Sequence, residues 1–180
     1  MHERRFHGEI ERLREVQRVE LLEVSRVVDL CLEGIQVLTV LDVGTGSGIF
    51  AEAFLKRGLE VTGIDPNPEM LKAAQEFVPT GTFLQGTVEE IPLKDKSFDL
   101  VFMGHVLHES DDLIKALTES KRVAKLQVVI LEWPYKQEES GPPLEHRLKT
   151  VEILTAAKQI GFSSLDTIPL HHMVLFRLTV

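Results

Sequence analysis

The sequence predicts an α/β protein built on a doubly wound, mostly parallel sheet with helices on both faces. Three observations carry this. The segment VLDVGTGSG, residues 40–48, runs from an apolar stretch into a glycine loop; a helical stretch follows, and a second apolar run, VTGIDPN, reaches Asp65. Further apolar runs then alternate with segments of helical periodicity along the rest of the chain. The last two apolar runs are joined only across Pro169, too short a link for a crossover helix, so they are expected to pair antiparallel.

In chain order, residues 9–33 read as helix. Ile10, Leu13, Val16, then Leu21, Val24, Val28 and Cys31 recur at helical spacing, with no internal proline or glycine. The apolar phase shifts near Gln17, which places a break there, and Gly34 ends the helix as a C′ glycine. Residues 37–43 are continuously apolar and β-branched, as a strand buried on both faces of a parallel sheet must be. Further strands are predicted at 60–64, 82–85, 99–103, 127–132, 163–168 and 171–179, and helices at 49–57, 68–77, 111–124 and 144–160. Pro68 sits one residue inside its helix, where a missing N–H costs nothing. The long loop WPYKQEESGPP, residues 133–143, follows a strand at the end of the sheet where such folds bind ligands.

A chain of 180 residues fits one domain, with residues 1–36 as a helical cap on a body of residues 37–180. No apolar run approaches bilayer length, and the start is charged from Glu3 to Arg5, so neither a membrane span nor a signal peptide is expected. The single Cys31 lies in an apolar helical context and reads as a core thiol rather than a catalytic one. One cysteine makes no intramolecular disulfide, which fits a cytoplasmic location. A formal net charge of −8 argues against a nucleic-acid substrate. Arg4, Arg5, Arg12, Arg14, Arg18 and Arg26 are interleaved with glutamates, which reads as a solvated, self-paired helical face, a nucleic-acid surface being the alternative.

Gly44, Gly46 and Gly48 alternate as GxGxG. The dinucleotide pattern GxGxxG needs its third glycine one place later, where this chain has Ile49. Such a loop still lets a ligand lie against bare backbone. Asp42 places a negative charge just before it, however, where a pyrophosphate would be repelled. An acid there suits a ligand with a cationic end, and S-adenosylmethionine, with its ammonium and sulfonium groups, has one. Asp65 falls about twenty residues after the first glycine, the distance at which a carboxylate reaches a ribose diol.

On these residues the chain resembles the class I S-adenosylmethionine-dependent methyltransferases, of the small single-domain type related to the quinone and sterol methyltransferases. The resemblance continues through PEMLKAAQ and TFLQG into TVEEIPLKDKSFDLVFMGHVLHE, which is similar to the family's stretch carrying E-x-(I/L)-P, S-F-D-x-V and V-L-H. GFSSL resembles the family's late glycine–phenylalanine turn. The resemblance implies a Rossmann-like sheet with an antiparallel C-terminal strand, and residues 37–180 as a methyltransferase domain. It further implies transfer of a methyl group from S-adenosyl-L-methionine to a small-molecule acceptor, with S-adenosyl-L-homocysteine as product.

It also implies a site. Gly44, Gly46 and Gly48 let the methionyl portion approach the backbone, beside Asp42. Asp65 accepts from the ribose hydroxyls, its alternative reading being an N-cap for the next helix, and Pro66 and Met70 pack near the adenine. Where the family has an acid and a small residue, this chain has Thr87 and Val88. A hydroxyl accepts without charge assistance, so adenine recognition should be weaker or lean on packing, with the Val88 N–H serving the ring. The Gly104 carbonyl is implied near the ammonium group and His105 near the transferred methyl.

Methyl transfer needs a general base only for a poorly ionised acceptor. The candidates are His105, His108, Glu132, Tyr135 and His146. His105 is favoured because a histidine near neutrality suits proton removal, a polar wall residue being its alternative. Trp133 and Tyr135 offer an aromatic wall, with Tyr135 as a second catalytic candidate. His105, His108 and Glu109 stand at i, i+3 and i+4, a spacing open to a metal reading, though helix capping explains this segment without one and no metal is expected. His171 and His172 read as surface residues.

Residues 141–147, GPPLEHR, resemble a stretch of quinone- and arsenite-methyltransferase-like proteins, with Glu145 and Arg147 as an ion-paired lid hinge. Arsenic chemistry is not expected from one thiol. The N-terminal helix, with Phe6 and His7 before it, is expected to cover the cleft. A small acceptor, or a site completed by a second copy in a homodimer, both remain open. So do two other functions: a cofactor-binding module without turnover, and an NAD(P) oxidoreductase, which Ile49 disfavours.

Overall fold

A computed structural model describes residues 10–138 and 140–180. Three short helices, α1 (Ile10–Leu13), α2 (Val16–Leu21) and α3 (Val24–Leu32), precede the sheet. The chain then alternates: β1 (Thr39–Val43), α4 (Ile49–Leu55), β2 (Glu60–Asp65), α5 (Pro68–Phe77), β3 (Thr82–Gln85), β4 (Phe98–Gly104), α6 (Leu113–Val123) and β5 (Ala124–Glu132). After α7 (Thr150–Ile160) come β6 (Ser164–Pro169) and β7 (Val174–Thr179).

The seven strands are ordered β3-β2-β1-β4-β5-β7-β6. β1 lies between β2 and β4, parallel to both, so the chain winds outward on one side through β3 and restarts at β4 on the other. This reversal leaves a crevice at the carboxyl ends of β1 and β4, where an open α/β sheet binds its ligand. β7 runs antiparallel between β5 and β6, as the short Pro169 link requires.

Successive residues of β1 feed opposite cores, as strand pleating dictates. Val40 packs with Val27, Val28, Phe54 and Phe102 on one side, and Leu41 with Val101, Met103, Leu117 and Ile153 on the other. Each of these side chains is almost fully buried, worth roughly 1.5–3 kcal/mol apiece. Asp99 fastens the opposite end of the sheet. Its Oδ2 accepts from the N–H groups of Leu38 and Thr39 at 3.0 Å each, and Lys125 pairs with Oδ1 at 3.0 Å. These partners outweigh burial and hold its carboxyl near a pKa of about 2.

The N-terminal segment departs from the single helix that its periodicity suggests. The breaks fall at Glu15 and Glu23, flanking the one expected near Gln17, and Glu23 takes a left-handed φ of 48°. Leu22 and Val24 are both buried, at 2% and 6% exposure. Two residues apart on one helix they would face opposite sides; the left-handed step turns both inward. The Glu23 carboxylate is engaged as well, accepting from the His171 N–H at 2.7 Å and from Arg26 at 2.6 Å. Cys31 is completely buried, and burial pushes its thiol far above the ordinary range, which leaves it inert.

The predicted helix 144–160 begins later than expected. Leu144–His146 is a separate 3-10 turn, and α7 starts at Thr150, with the Glu152 carboxylate accepting from the Lys149 N–H at 2.9 Å. Between the two lies Arg147, whose side chain bonds back into the preceding loop. Among the described residues, no helix is long and apolar enough to cross a membrane. Phe6 and His7 lie outside the described residues.

Candidate functional site

Between β1 and α4 the chain turns at Gly44 (φ 66°), Gly46 (φ 53°) and Gly48 (φ 78°). Thr45 ties the loop to the sheet, its N–H donating to the Ile64 carbonyl at 2.9 Å. Asp42 is 2% exposed and accepts from the Thr45 hydroxyl at 2.7 Å. Burial pushes its carboxyl up to about 7, against the Thr45 hydroxyl and the Ala51 N–H. Asp42 therefore braces the loop from beneath.

Gly44 and Gly46 differ in surroundings. A Cβ on Gly44 would come within 2.1 Å of the Val106 side chain, whereas one on Gly46 would meet nothing within 4 Å. Gly44→Ala is therefore expected to cost about 2–4 kcal/mol, through clash and backbone strain together. Gly46→Ala should cost only about 1 kcal/mol from the left-handed backbone. Chemical denaturation of the two variants checks the difference, and equal losses would contradict it.

Asp65, at the end of β2, holds the far side of the loop. One oxygen accepts from the Gly46 N–H at 3.0 Å and the other from the Asn67 N–H at 2.8 Å. The N-cap of α5 is Asn67, whose side chain accepts from the Glu69 N–H at 2.9 Å, so the capping role considered for Asp65 falls to its neighbour. The end of β3 comes alongside: the Gly86 N–H donates to the Asp65 carbonyl at 3.3 Å, and Gln85 donates to the Pro66 carbonyl at 3.1 Å. Met70 is buried, Pro66 and Thr87 are half-buried, and Val88 joins the core beside Ile91.

At the end of β4, Gly104 packs on Phe102 and Phe50. His105 has a left-handed φ of 61°, and its N–H donates to the Leu131 carbonyl at 2.9 Å. A non-glycine residue in that region is strained and held by its surroundings. Its two ring nitrogens are buried without a hydrogen-bond partner among the described residues, and its ring centroid lies 5.6 Å from that of Trp133. Burial drives the imidazole down to about 3. The reason for favouring His105 as a base, a titration near neutrality, therefore does not hold: the ring is neutral and weakly basic.

Next to it stands a buried pair. Glu132 accepts from the His108 backbone N–H at 3.1 Å and contacts His108 Nδ1 at 2.8 Å, with both residues under 7% exposed. Burial opposes both charges, yet the pairing wins. His108 titrates above its ordinary 6.5 and Glu132 below its ordinary 4.5. The carboxylate's share of stability is lost as pH falls through its lowered value; the imidazolium's share is lost as pH rises through its raised one. The deficit of His108→Asn against wild type should thus be greatest at about pH 5–6 and shrink on both sides. Urea denaturation across pH checks this, and a deficit flat with pH would contradict it.

The loop 133–143 is organised by Arg147, which is 5% exposed. Its guanidinium donates to the carbonyls of Pro142, Pro134, Lys136 and Ser140 at 2.9, 3.2, 2.9 and 2.7 Å. It pairs with Glu138 at 3.5 Å and lies 5.3 Å from the Trp133 ring centroid. The ion-paired hinge expected of Glu145 and Arg147 is replaced by this arrangement, with Glu145 left exposed. Tyr135 is 45% exposed beneath Lys149, outside the buried group formed by His105, His108, Glu132 and Trp133.

The sequence reading missed Arg14. It donates to the Ser47 carbonyl of the glycine loop at 2.7 Å, pairs with Glu52 on α4, and lies 3.9 Å from the Phe77 ring centroid. This half-buried residue clasps the loop instead of belonging to a solvated face. Nothing in the charge pattern distinguishes it from its neighbours. His171 and His172 lie at the carboxyl end of the sheet and, with Gln17, Glu20, Leu21 and Glu23, line an open depression of about 390 Å³. Among the described residues, no three His, Cys, Asp or Glu side chains converge at metal-binding range.

Comparison with known proteins places residues 41–131 in a family model described as a methyltransferase domain. A demethylmenaquinone methyltransferase from Chlorobaculum tepidum is 40% identical over 95 residues, covering 52% of this chain and 39% of that protein. A malonyl-[acyl-carrier protein] O-methyltransferase from Serratia marcescens is 37% identical over 92 residues, covering 51% and 36% respectively. These matches span less than half the length of those relatives. A crystal structure of a SAM-dependent methyltransferase from Aquifex aeolicus superposes with a TM-score of 0.84 at 28% identity, covering 95% of this chain and 96% of that one.

Proposed function

Since the chain belongs to the class I S-adenosylmethionine-dependent methyltransferase family, we propose that it transfers a methyl group from S-adenosyl-L-methionine to a small-molecule acceptor. The observation that carries this is the loop itself. Gly46 leaves open space beside bare backbone, and Asp65 stands on the same loop with a carboxylate fixed by main-chain N–H groups. Such a cradle fits an adenosyl ligand with a charged amino-acid tail.

Asp65 would hold the ribose, with Pro66 and Met70 along the adenine and Thr87 and Val88 at its edge. Gly44, Gly46, Gly48 and the Gly104 carbonyl would line the amino-acid end above Asp42. Bound there, S-adenosyl-L-methionine supplies a methyl carbon already activated by its positive sulfur. The protein must then position the acceptor and exclude water. His105, neutral and with unpartnered nitrogens, suits a polar wall that hydrogen-bonds the acceptor. The loop gathered by Arg147 and the segment clasped by Arg14 would flank the site as covers. On this reading residues 10–36, the described part of the expected cap, cover the methyltransferase domain of residues 37–180.

Binding and turnover test the proposal in sequence. S-adenosyl-L-homocysteine should raise the unfolding temperature by several degrees at about 100 times its Kd, while NADH should not. A shift with NADH alone would favour an oxidoreductase. Transfer of labelled methyl to any of a panel of small hydroxyl, amine and thiol compounds would separate an enzyme from a binding module.

A further inference from the structure

We propose that His108, fixed by Glu132, is the proton-accepting group of this site, and that the acceptor is a molecule whose attacking atom arrives protonated, such as a weakly acidic hydroxyl or N–H group. The inference rests on the methyl-transfer reading above and adds the class of acceptor.

The 3-10 turn Leu107–Glu109 follows directly from β4, and Val106, immediately before it, packs on Gly44 of the glycine loop. His108 thus stands two residues beyond the side chain that packs on the glycine loop. Glu132 grips it twice, at the backbone N–H and at Nδ1. A carboxylate at Nδ1 fixes the neutral tautomer with its proton on that nitrogen and leaves Nε2 as the acceptor. Among the described residues the His108 ring is bonded through Nδ1.

The surrounding charges are Glu132 from β5, Glu109 on the same turn and Arg147 behind the loop, with His105 at the end of β4 and Arg18 from α2 facing that ring. Glu132 raises His108 against burial and Arg147, whereas burial depresses His105 in spite of Glu132, so the two histidines divide the work. The wall stays neutral, and the pairing with Glu132 makes His108 the stronger proton acceptor of the two. The Glu132 contacts alone would also serve a structural staple between the turn and β5; a base differs from it in answering to the charge on the bound sulfur. A thiolate or a free amine would not need the base.

In the transfer step the acceptor's attacking atom forms its bond to the methyl carbon while the carbon–sulfur bond breaks, and that bond's electron pair stays on sulfur. The acceptor's proton passes to Nε2, leaving its own bonding pair on the attacking atom, and is later released to solvent. Charge balances: the positive charge lost at sulfur reappears on the His108–Glu132 pair.

NMR titration of the full chain with labelled histidine tests the placement without an acceptor. The pKa of His108 is measured with S-adenosyl-L-homocysteine bound and again with S-adenosyl-L-methionine bound, the two ligands differing by one methyl group and one positive charge. The expected result is a His108 pKa lower by about one pH unit in the methionine complex, because a cation at the reacting sulfur disfavours the imidazolium. His146, His171 and His172 serve as controls and should not move. Glu132→Gln should lower the His108 pKa in both complexes and keep the difference between them. Equal values in the two wild-type complexes would overturn the proposal. Failure of both ligands to perturb any resonance would instead remove the methyl-transfer reading on which it rests.

Discussion

Asp65→Ala is expected to weaken binding of S-adenosyl-L-homocysteine by about 100-fold, close to 2.7 kcal/mol. Two effects add. The ribose loses a charged acceptor, and hydrogen bonds to charged groups are worth roughly 1.5–3 kcal/mol. The N–H groups of Gly46 and Asn67 lose the oxygens they donate to at 3.0 and 2.8 Å, so the loop is no longer held in its binding shape. Asp65→Asn, which keeps one acceptor oxygen, should lose about tenfold. Calorimetric titration checks both, and a Kd for the alanine variant within about threefold of wild type would separate Asp65 from the cofactor.

Arg147→Met should produce the largest loss of stability of the substitutions considered, about 3–5 kcal/mol. The side chain is nearly isosteric along its stem, but the carbonyls of Pro134, Lys136, Ser140 and Pro142 lose their donor together. Half-buried carbonyls that lose their donor must recruit water or stay unpartnered, and the loop loses the group that gathers them. Arg147→Lys should fall between, because an ammonium has three donors and no planar fork to span four acceptors. Trp133 is the only tryptophan of the chain, so its emission reports the loop directly and should shift to the red as the loop opens. Denaturation curves with an unchanged midpoint, or an unmoved emission maximum, would contradict the role given to Arg147.

The sheet was legible because its signals are local. The β-branched run before Gly44, the alternation after it and the short Pro169 link each state a strand or a direction in a few residues. The cofactor loop was legible for the same reason, since glycine spacing and the following acid are written within about twenty-five residues. What stayed hidden depends on contacts distant in sequence. Arg14 finds the Ser47 carbonyl and Glu52 only once α1 docks. Glu23 breaks a helix that periodicity alone would continue, because Leu22 and Val24 must both turn inward. The difference between His105 and His108 is one of environment, which spacing does not contain: the ring nitrogens of one have no hydrogen-bond partner among the described residues, and the other meets a carboxylate.

The placement of β7 bears on how the molecule is made. It is the last of the seven strands in chain order, yet it sits inside the sheet between β5 and β6. A nascent chain emerging from the ribosome therefore carries two open strand edges until residues 174–179 arrive to close both. The same strand also ties down the N-terminal helices, since Arg177 of β7 bonds the Leu30 carbonyl and Glu33 at the end of α3. Truncation within β7 would expose those edges permanently, and unpaired edges are templates for aggregation.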